Sequence, residues 1–289
     1  MPAIVVPPPM SVAALASLVL LTPAPGADPS PAPRADYTIE AVRYATIPGF
    51  PLSGLVMDAP ADDRIDIAMV IWVVRGEERT VLFDTGFHRS AWFERFDVAD
   101  YLRPDSALLR AGVDPAEVTD VIVSHAHWDH MGGIDLFPSA TIHIQRAEYD
   151  YYTGPAWREG GRRGGIDPDD IVHLVQRNVA GQVKTVDGDD VEVVPGIRAF
   201  TGARHTYASQ YILVEGPEPY VLASDNCYLF RNLETRTAGA TFERADRAAN
   251  EAALERMEKL AGAASRVIPG HDPLQFDRFP GDGRIARIR

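Results

Sequence analysis

Six consecutive residues carry most of the chemistry that this sequence offers. The segment His125-Ala-His127-Trp-Asp129-His130 places three imidazoles and a carboxylate directly after the apolar run 121–124. A run of Val and Ile predicts a strand, and α/β folds place their chemistry at the carboxyl ends of strands. Imidazole and carboxylate groups at this density indicate a metal site.

Four ligands exceed the three that one catalytic zinc with an open position usually takes from a protein. Further ligands follow apolar runs downstream, and these are His205, Asp225 and His271. Taken alone, His205 also fits a core or capping histidine. Likewise, Asp225 fits a helix N-cap and His271 a turn residue. Their order and spacing as a set favour a second metal site.

The pattern HxHxDH, a lone His, a lone Asp after a strand and a late Pro-Gly-His resembles the metallo-β-lactamase superfamily of dinuclear hydrolases. The segment Phe83-Asp84-Thr85-Gly86 is similar to that family's early Asp-Thr-Gly element. The resemblance extends from about Ile65 to His271. It implies a four-layer αβ/βα sandwich, whereas the apolar patterning alone predicts only a mixed α/β domain.

The resemblance also implies a role for each candidate ligand. Seven residues would hold two metal ions. His125, His127 and His205 would bind the first ion, and Asp129, His130 and His271 would bind the second. Asp225 would bind both ions. Ligands without a thiolate suit Zn²⁺, and Fe, Mn or Co also fit. Asp84 would orient a ligand histidine. Two such cations lower the pKa of bound water, so that a hydroxide can attack a carbonyl while Asp129 moves the proton.

Tyr228 separates branches of the superfamily. Asp225-Asn226-Cys227-Tyr228 is similar to the Asp-x-x-Tyr of N-acyl homoserine lactone lactonases, whose Tyr hydrogen-bonds the substrate carbonyl. The alternative is a core Tyr that anchors the turn. The loop 201–209 departs from the usual lactonase turn, so we expect a different pocket shape. The resemblance implies a quorum-quenching zinc hydrolase that opens lactones, with Asp129 and Tyr228 as catalytic residues.

Two other functions stay open. A phosphotriesterase or aryl-ester hydrolase would use the same metal ligands, and a non-catalytic metal-binding protein would need only the site itself. The β-lactamases with a Cys ligand fit poorly, because Asp225 stands at that position. Cys227 is then a buried small hydrophobe. Thioesterases similar to glyoxalase II carry a helical C-terminal domain, whereas only residues 272–289 follow His271 here.

Composition restricts the partners. The 289 residues are 46% hydrophobic and 24% charged, which is typical of a globular chain. The net charge of −13 argues against binding to nucleic acid or to an anionic membrane surface. We expect a small-molecule ester or lactone as the ligand, with a homodimer as an open alternative to a monomer.

The first 34 residues differ from the rest. An apolar segment, 11–21, has the length of a signal peptide, and a Pro-rich run, 22–33, follows it. No Lys or Arg precedes Arg34, so a disordered leader is the alternative. We therefore predict a leader over 1–34 and one hydrolase domain over 35–289. The protein is exported if the leader is a signal peptide, and cytoplasmic otherwise.

The ligands need strands and helices to position them. The alternation of apolar residues predicts several strands: 37–47, 65–74, 80–83, 182–194, 197–202, 210–215, 219–224 and 266–268. Asp-Pro pairs predict helix starts at Asp114 and Asp167, and an amphipathic pattern predicts a helix over 246–261.

Two remaining features have no role in the predicted metal centre. The aromatic and Gly-rich segment Tyr149–Gly165 is either a mobile lid over the metals or a surface loop. His88, His143 and His173 are predicted not to be ligands. His143 lies in a strand pattern where a half-exposed histidine is ordinary.

Overall fold

The computed structural model describes residues 2–3, 36–76 and 78–289, and Arg34–Arg289 form one compact unit. The predicted leader lies almost entirely outside the described residues, so the signal peptide remains a prediction. Within the described ranges, no helix is both long enough and apolar enough to cross a membrane.

Two β-sheets form the centre of this unit. The strands are β1 (Thr38–Pro51), β2 (Arg64–Arg75), β3 (Thr80–Phe83), β4 (Asp120–Ile122), β5 (Thr141–Gln145), β6 (Val183–Val186), β7 (Val191–Val194), β8 (Ile197–Thr201), β9 (Gln210–Val214), β10 (Tyr220–Ser224), β11 (Val267–Pro269) and β12 (Ile285–Arg287). The seven-stranded sheet has the order β12-β1-β2-β3-β4-β5-β6, and the five-stranded sheet has the order β11-β10-β9-β8-β7.

Helices connect these strands. They are α1 (Ser90–Arg95), α2 (Pro104–Arg110), α3 (Trp128–Met131), α4 (Arg146–Tyr152), α5 (Pro168–Val179), α6 (Phe230–Thr235), α7 (Arg247–Ala261) and α8 (Gln275–Arg278).

The strand β2 shows why the sheets pack face to face. Its residues from Ile67 to Val74 are all buried, although alternate side chains of a strand point to opposite faces. Val70, Trp72 and Val74 pack with residues of the five-stranded sheet. Ile71 and Val73 instead belong to the cluster that includes helix residues. A strand buried on both faces must lie between two layers.

The outer layers are helical. Ile171 and Leu174 of α5 pack in the same cluster as Val121 of the seven-stranded sheet. On the other side, Leu254 and Met257 of α7 pack with the five-stranded sheet. The order helix, sheet, sheet, helix is the predicted four-layer αβ/βα sandwich, and the fold prediction is confirmed.

Most predicted elements are present. The strands 65–74 and 80–83 form an antiparallel hairpin as β2 and β3. The helix after Asp167 is α5, and the Asp167 side chain accepts a hydrogen bond from the Asp169 N–H at its first turn. The helix 246–261 is α7, which ends at Gly262 in the left-handed region. Cys227 is buried, as predicted.

Other predictions were wrong. Asp114 caps only the short 3-10 turn Pro115–Glu117, because the chain enters β4 directly afterwards. The strand 182–194 is two strands in different sheets, separated by a turn that contains Gly188. His143 is buried rather than half-exposed, and its Nε2 lies 2.8 Å from Asp120 Oδ1 on the neighbouring strand.

Asp170, in the first turn of α5, is a buried carboxylate of which only one oxygen accepts a hydrogen bond. Its Oδ1 accepts a hydrogen bond of 2.6 Å from Arg89 Nε. Its Oδ2 is buried without a hydrogen-bond partner among the described residues and faces Gly132. Burial raises the pKa of Asp170 to about 7, although the hydrogen bond from Arg89 opposes this rise.

This raised pKa gives a stability prediction. An acid whose pKa is higher in the folded than in the unfolded protein contributes stability at low pH, which is lost as pH rises through the folded pKa. Asp170→Asn should therefore gain stability relative to wild type as the pH rises from about 4 to about 7, between the unfolded and the folded pKa of Asp170. Unfolding midpoints measured across this range test it, and a difference that stays constant with pH would contradict it.

Candidate metal centre

The candidate ligands converge from both sheets. The segment His125–His130 follows β4 of the seven-stranded sheet. The other three ligands, His205, Asp225 and His271, follow β8, β10 and β11 of the five-stranded sheet. The structure thus brings all seven predicted ligands to one end of the sandwich, in two adjacent groups.

The first group contains three imidazoles and one carboxylate. His127 Nδ1 lies 3.0 Å from His125 Nε2 and 2.9 Å from His205 Nε2. Asp225 Oδ2 lies 3.3 Å from His205 Nε2 and 3.8 Å from His125 Nε2. Four donor atoms from four residues therefore face one small volume.

The second group shares Asp225 with the first. Asp129 Oδ2 lies 3.3 Å from His130 Nε2 and 3.6 Å from His271 Nε2. Asp225 Oδ1 lies 3.3 Å from His130 Nε2 and 3.0 Å from His271 Nε2. Each oxygen of Asp225 therefore faces a different group, which is the arrangement of a bridging carboxylate.

Hydrogen bonds outside the centre determine which ring nitrogen faces it. The Nδ1 atoms of four histidines are engaged there: His125 with Ser124 Oγ at 2.8 Å, His130 with Asp84 Oδ2 at 2.8 Å, His205 with Ala240 O at 3.0 Å, and His271 with Ala68 O at 2.9 Å. When these imidazoles are neutral, their lone pair is on Nε2 and faces the centre. Such outer partners are typical of metal-binding histidines.

The donor atoms fit divalent cations. His130 Nε2 and Asp225 Oδ1 are buried, and neither forms a hydrogen bond of suitable geometry within the described residues, although they lie 3.3 Å apart. Burial and the neighbouring His205 lower the pKa of His127 to about 3, so this imidazole stays neutral and can donate its lone pair. Buried polar atoms left without partners are costly, and a cation between the groups would satisfy them.

Charge also favours a cation. Burial alone would lower the pKa of His130, but the carboxylates of Asp129, Asp225 and Asp84 raise it well above its usual value. The negative potential that produces this rise is the potential that a metal ion would experience in the same place.

Asp84 is a buried carboxylate next to the second group, with several hydrogen-bond partners. Its Oδ1 accepts a hydrogen bond from the Ser124 N–H at 2.7 Å. Its Oδ2 accepts from the hydroxyls of Ser124 and Ser224, each at 2.9 Å. The same oxygen faces His130 Nδ1, so Asp84 is placed to orient this imidazole. Asp84 and Ser224 both have positive φ, which concentrates backbone strain at this point.

Tyr228 lies within the centre. Its hydroxyl oxygen is 3.0 Å from His205 Nδ1, and its ring stacks on His271 at a centroid distance of 6.0 Å. Burial, followed by the charges of Asp225 and Asp129, raises its pKa well above the usual value. The phenol therefore keeps its proton and remains a hydrogen-bond donor.

The remaining histidines lie outside the two groups. His88 Nε2 is 2.9 Å from Asp135 Oδ1, and His173 Nδ1 is 3.7 Å from Asp135 Oδ2. His143 pairs with Asp120, as described above. The structure gives these three histidines local carboxylate partners instead of a place in the centre.

The segment Tyr149–Gly165 is only partly a loop. It begins inside α4 and contains the 3-10 turn Pro155–Trp157. A cluster of aromatic rings lies along it: Tyr151 stacks on Tyr207 at 4.0 Å, and Phe242 meets both rings edge-on. At its end, a Cβ at Gly165 would lie 2.8 Å from the His127 ring, so only glycine fits there.

Sequence reasoning missed two residues that support the ligands. Tyr44 donates a hydrogen bond of 3.2 Å to the Asp129 carbonyl from β1, far away in sequence. Glu148 accepts hydrogen bonds from the loops that carry His127 and His205. An acidic residue in the first turn of a helix is ordinary, so no signal in the sequence distinguished Glu148.

This chain belongs to the metallo-beta-lactamase superfamily, whose sequence pattern matches residues 69–271. Within the superfamily, the chain is similar to N-acyl homoserine lactonases. It is 34% identical to the lactonase AttM of Rhizobium johnstonii over 174 residues, which are 58% of this chain and 63% of that relative. It is 27% identical to a Bacillus sp. lactonase over 229 residues, which are 73% of this chain and 83% of that relative.

A solved structure shares the fold. AidC, described as a dizinc quorum-quenching lactonase in complex with a product, superimposes with a TM-score of 0.62 at 18% identity, covering 83% of this chain and 89% of that one. At this identity the likeness concerns the fold alone.

The match to the lactonase AttM spans less than two thirds of that relative's length. The predicted resemblance to the superfamily and to lactonases is confirmed.

A divalent metal at this centre should stabilise the fold. A ligand at 1,000 times its Kd adds about 4 kcal/mol to the free energy of unfolding. Removal of the metal by a chelator should thus lower the melting temperature by roughly 10 °C, since about 1 kcal/mol corresponds to 2–4 °C at this size. Added divalent cation should restore it. In Asp225→Asn the chelator effect should shrink, and an unchanged effect would contradict the proposed position of the metal.

Proposed function

We propose that the protein is a dinuclear zinc hydrolase that opens N-acyl homoserine lactones or related cyclic esters. The observation that carries this proposal is the carboxylate of Asp225, with one oxygen facing each group of ligands. The similarity to lactonases supports the choice of substrate. The superfamily match over residues 69–271 contains all seven ligands.

The donor set supports two zinc ions. Each group offers imidazole nitrogen and carboxylate oxygen without a thiolate, which suits Zn²⁺. The first group takes His125, His127 and His205, the second takes Asp129, His130 and His271, and Asp225 serves both. Two divalent cations held there would lower the pKa of bound water and polarise a carbonyl oxygen.

Asp129 is placed to move the proton. Its side chain is 12% exposed, whereas the Asp225 side chain, at 6%, is more enclosed. The Tyr44 hydroxyl holds its backbone carbonyl, which steadies the turn without using the carboxylate. Asp129 can accept a proton from the attacking water and deliver it to the alkoxide that leaves when the ring C–O bond breaks.

Tyr228 is placed to stabilise the developing oxyanion. The Ala240 carbonyl accepts the proton of His205 Nδ1, so the Tyr228 hydroxyl does not have to donate to that histidine. Its own proton faces the Asp225 carboxylate in this structure. With both Asp225 oxygens bound to metal, this proton would be available to a substrate carbonyl oxygen. Because its pKa is raised, this donor persists through neutral and moderately alkaline pH.

Ring opening of short-chain and long-chain acyl-homoserine lactones by the zinc-loaded protein tests the function. We expect turnover by wild type and a loss of at least about 1,000-fold in Asp129→Asn, because an amide cannot relay the proton. Absence of lactone turnover with two metals bound, together with hydrolysis of a phosphotriester or aryl ester, would assign the site to that other reaction.

Replacement of Tyr228 by Phe tests the oxyanion donor. Loss of one such donor typically costs about 100-fold or more in kcat, and we expect this with little change in KM. Tyr211→Phe is the matched control, because Tyr211 is an equally buried tyrosine on β9 outside the centre. Full lactonase activity in Tyr228→Phe would show that the tyrosine only packs in the core.

A further inference from the structure

Glu148 is a fully buried carboxylate that belongs to neither group of ligands. Its Oε1 accepts hydrogen bonds from the Ala126 N–H at 2.9 Å and the Thr206 hydroxyl at 2.6 Å. Its Oε2 accepts a hydrogen bond from the Ala208 N–H at 2.6 Å. No Lys, Arg or His in the described part of the chain forms an ion pair with it.

These three donors belong to two ligand loops. Ala126 lies between His125 and His127, and Thr206 directly follows His205. One carboxylate therefore joins a loop of the seven-stranded sheet to a loop of the five-stranded sheet. The junction lies at the level of the ligands, where His127 Nδ1 and His205 Nε2 are 2.9 Å apart.

The second group of ligands has its own carboxylate support. Asp84 joins Ser124 and Ser224, which again belong to different sheets, and faces His130 Nδ1. No hydrogen bond between Glu148 and this group is present in the described residues. The centre thus contains two buried carboxylate supports. Glu148 contacts only the loops of the first group, whereas Asp84 faces His130 of the second group and reaches His125 through Ser124 Oγ.

Burial of the Glu148 carboxylate between the two loops carries a desolvation cost. Desolvation raises its pKa to about 7, although the hydrogen bonds from Thr206, Ala126 and Ala208 favour the charged form. A buried carboxylate without a cation partner destabilises the fold unless hydrogen bonds offset its desolvation. An apolar side chain would avoid this cost but could not accept hydrogen bonds. The carboxylate holds backbone N–H groups at fixed positions next to ligands, which a methyl group could not do.

We propose that Glu148 is a positioning residue for the metal site formed by His125, His127, His205 and Asp225, and not for the site formed by Asp129, His130 and His271. This inference rests on the proposed dinuclear function. Glu148 touches no ligand atom and acts by fixing the separation of the two loops. Its loss changes metal affinity at one site selectively.

Titration of the metal-free protein with Co²⁺ tests the proposal, with the stoichiometry and the visible absorption of bound Co²⁺ as readouts. Wild type should bind two Co²⁺. Glu148→Gln should bind one with wild-type affinity and the other about 10-fold to 100-fold more weakly, as is typical when an outer partner of a metal ligand is lost.

Two backgrounds identify the affected site. In His271→Ala the first site remains, and adding Glu148→Gln should weaken its Co²⁺ affinity by the same factor. In His205→Ala the second site remains, and adding Glu148→Gln should leave its affinity unchanged. Equal weakening in both backgrounds, or in neither, would overturn the proposal.

Two controls separate positioning from folding. Asp120→Asn removes another buried carboxylate, which pairs with His143 and Arg79 away from the centre, and should leave both Co²⁺ affinities unchanged. Thr206→Val should act in the same direction as Glu148→Gln, whereas Thr206→Ser keeps the hydroxyl and should behave as wild type.

The proposed function and the role of Glu148 can fail separately. If wild type binds a single Co²⁺, the dinuclear assignment fails. The role of Glu148 then depends on whether Glu148→Gln weakens that single ion while Asp120→Asn does not. An unchanged affinity would refute the role of Glu148 as well.

Discussion

The buried carboxylate of Asp84 is the interaction on which the centre depends most. It receives hydrogen bonds from Ser124 at the end of β4 and from Ser224 at the end of β10, so it joins the two sheets where their ligand-bearing ends meet. It also directs the imidazole of His130. Since these partners are all buried, one carboxylate links the ligand-bearing ends of the two sheets and also orients a ligand.

Two other ligand histidines are also oriented by groups outside the centre. Backbone carbonyls of Ala68 and Ala240 engage the outer nitrogens of His271 and His205, and each carbonyl comes from a segment distant in sequence. The centre is therefore assembled by long-range packing rather than within one motif. Its geometry is available only when both sheets are complete, and this explains why so compact a site draws on most of the domain.

The ligands and the fold class could be predicted because local patterns encode them. An apolar run followed by a ligand identifies His205, Asp225 and His271, and alternation identifies the hairpin of β2 and β3. The role of Glu148 could not be predicted, because the groups that donate hydrogen bonds to it are distant in sequence and approach it only in the folded chain. His143 was misjudged because its partner Asp120 is on a neighbouring strand. The Asp114 cap was recognised, but β4 begins too soon for a full helix.

The division of the ligands between the sheets has a mechanical consequence. With a single cysteine, the chain cannot form an internal disulfide. Metal ions that bind residues of both sheets would act as cross-links between chain segments as distant as His130 and His271. Cross-links that close long loops reduce the entropy of the unfolded chain. Ions bound at the two proposed sites would thus also hold the two halves of the sandwich together, and their removal would free the sheets to separate.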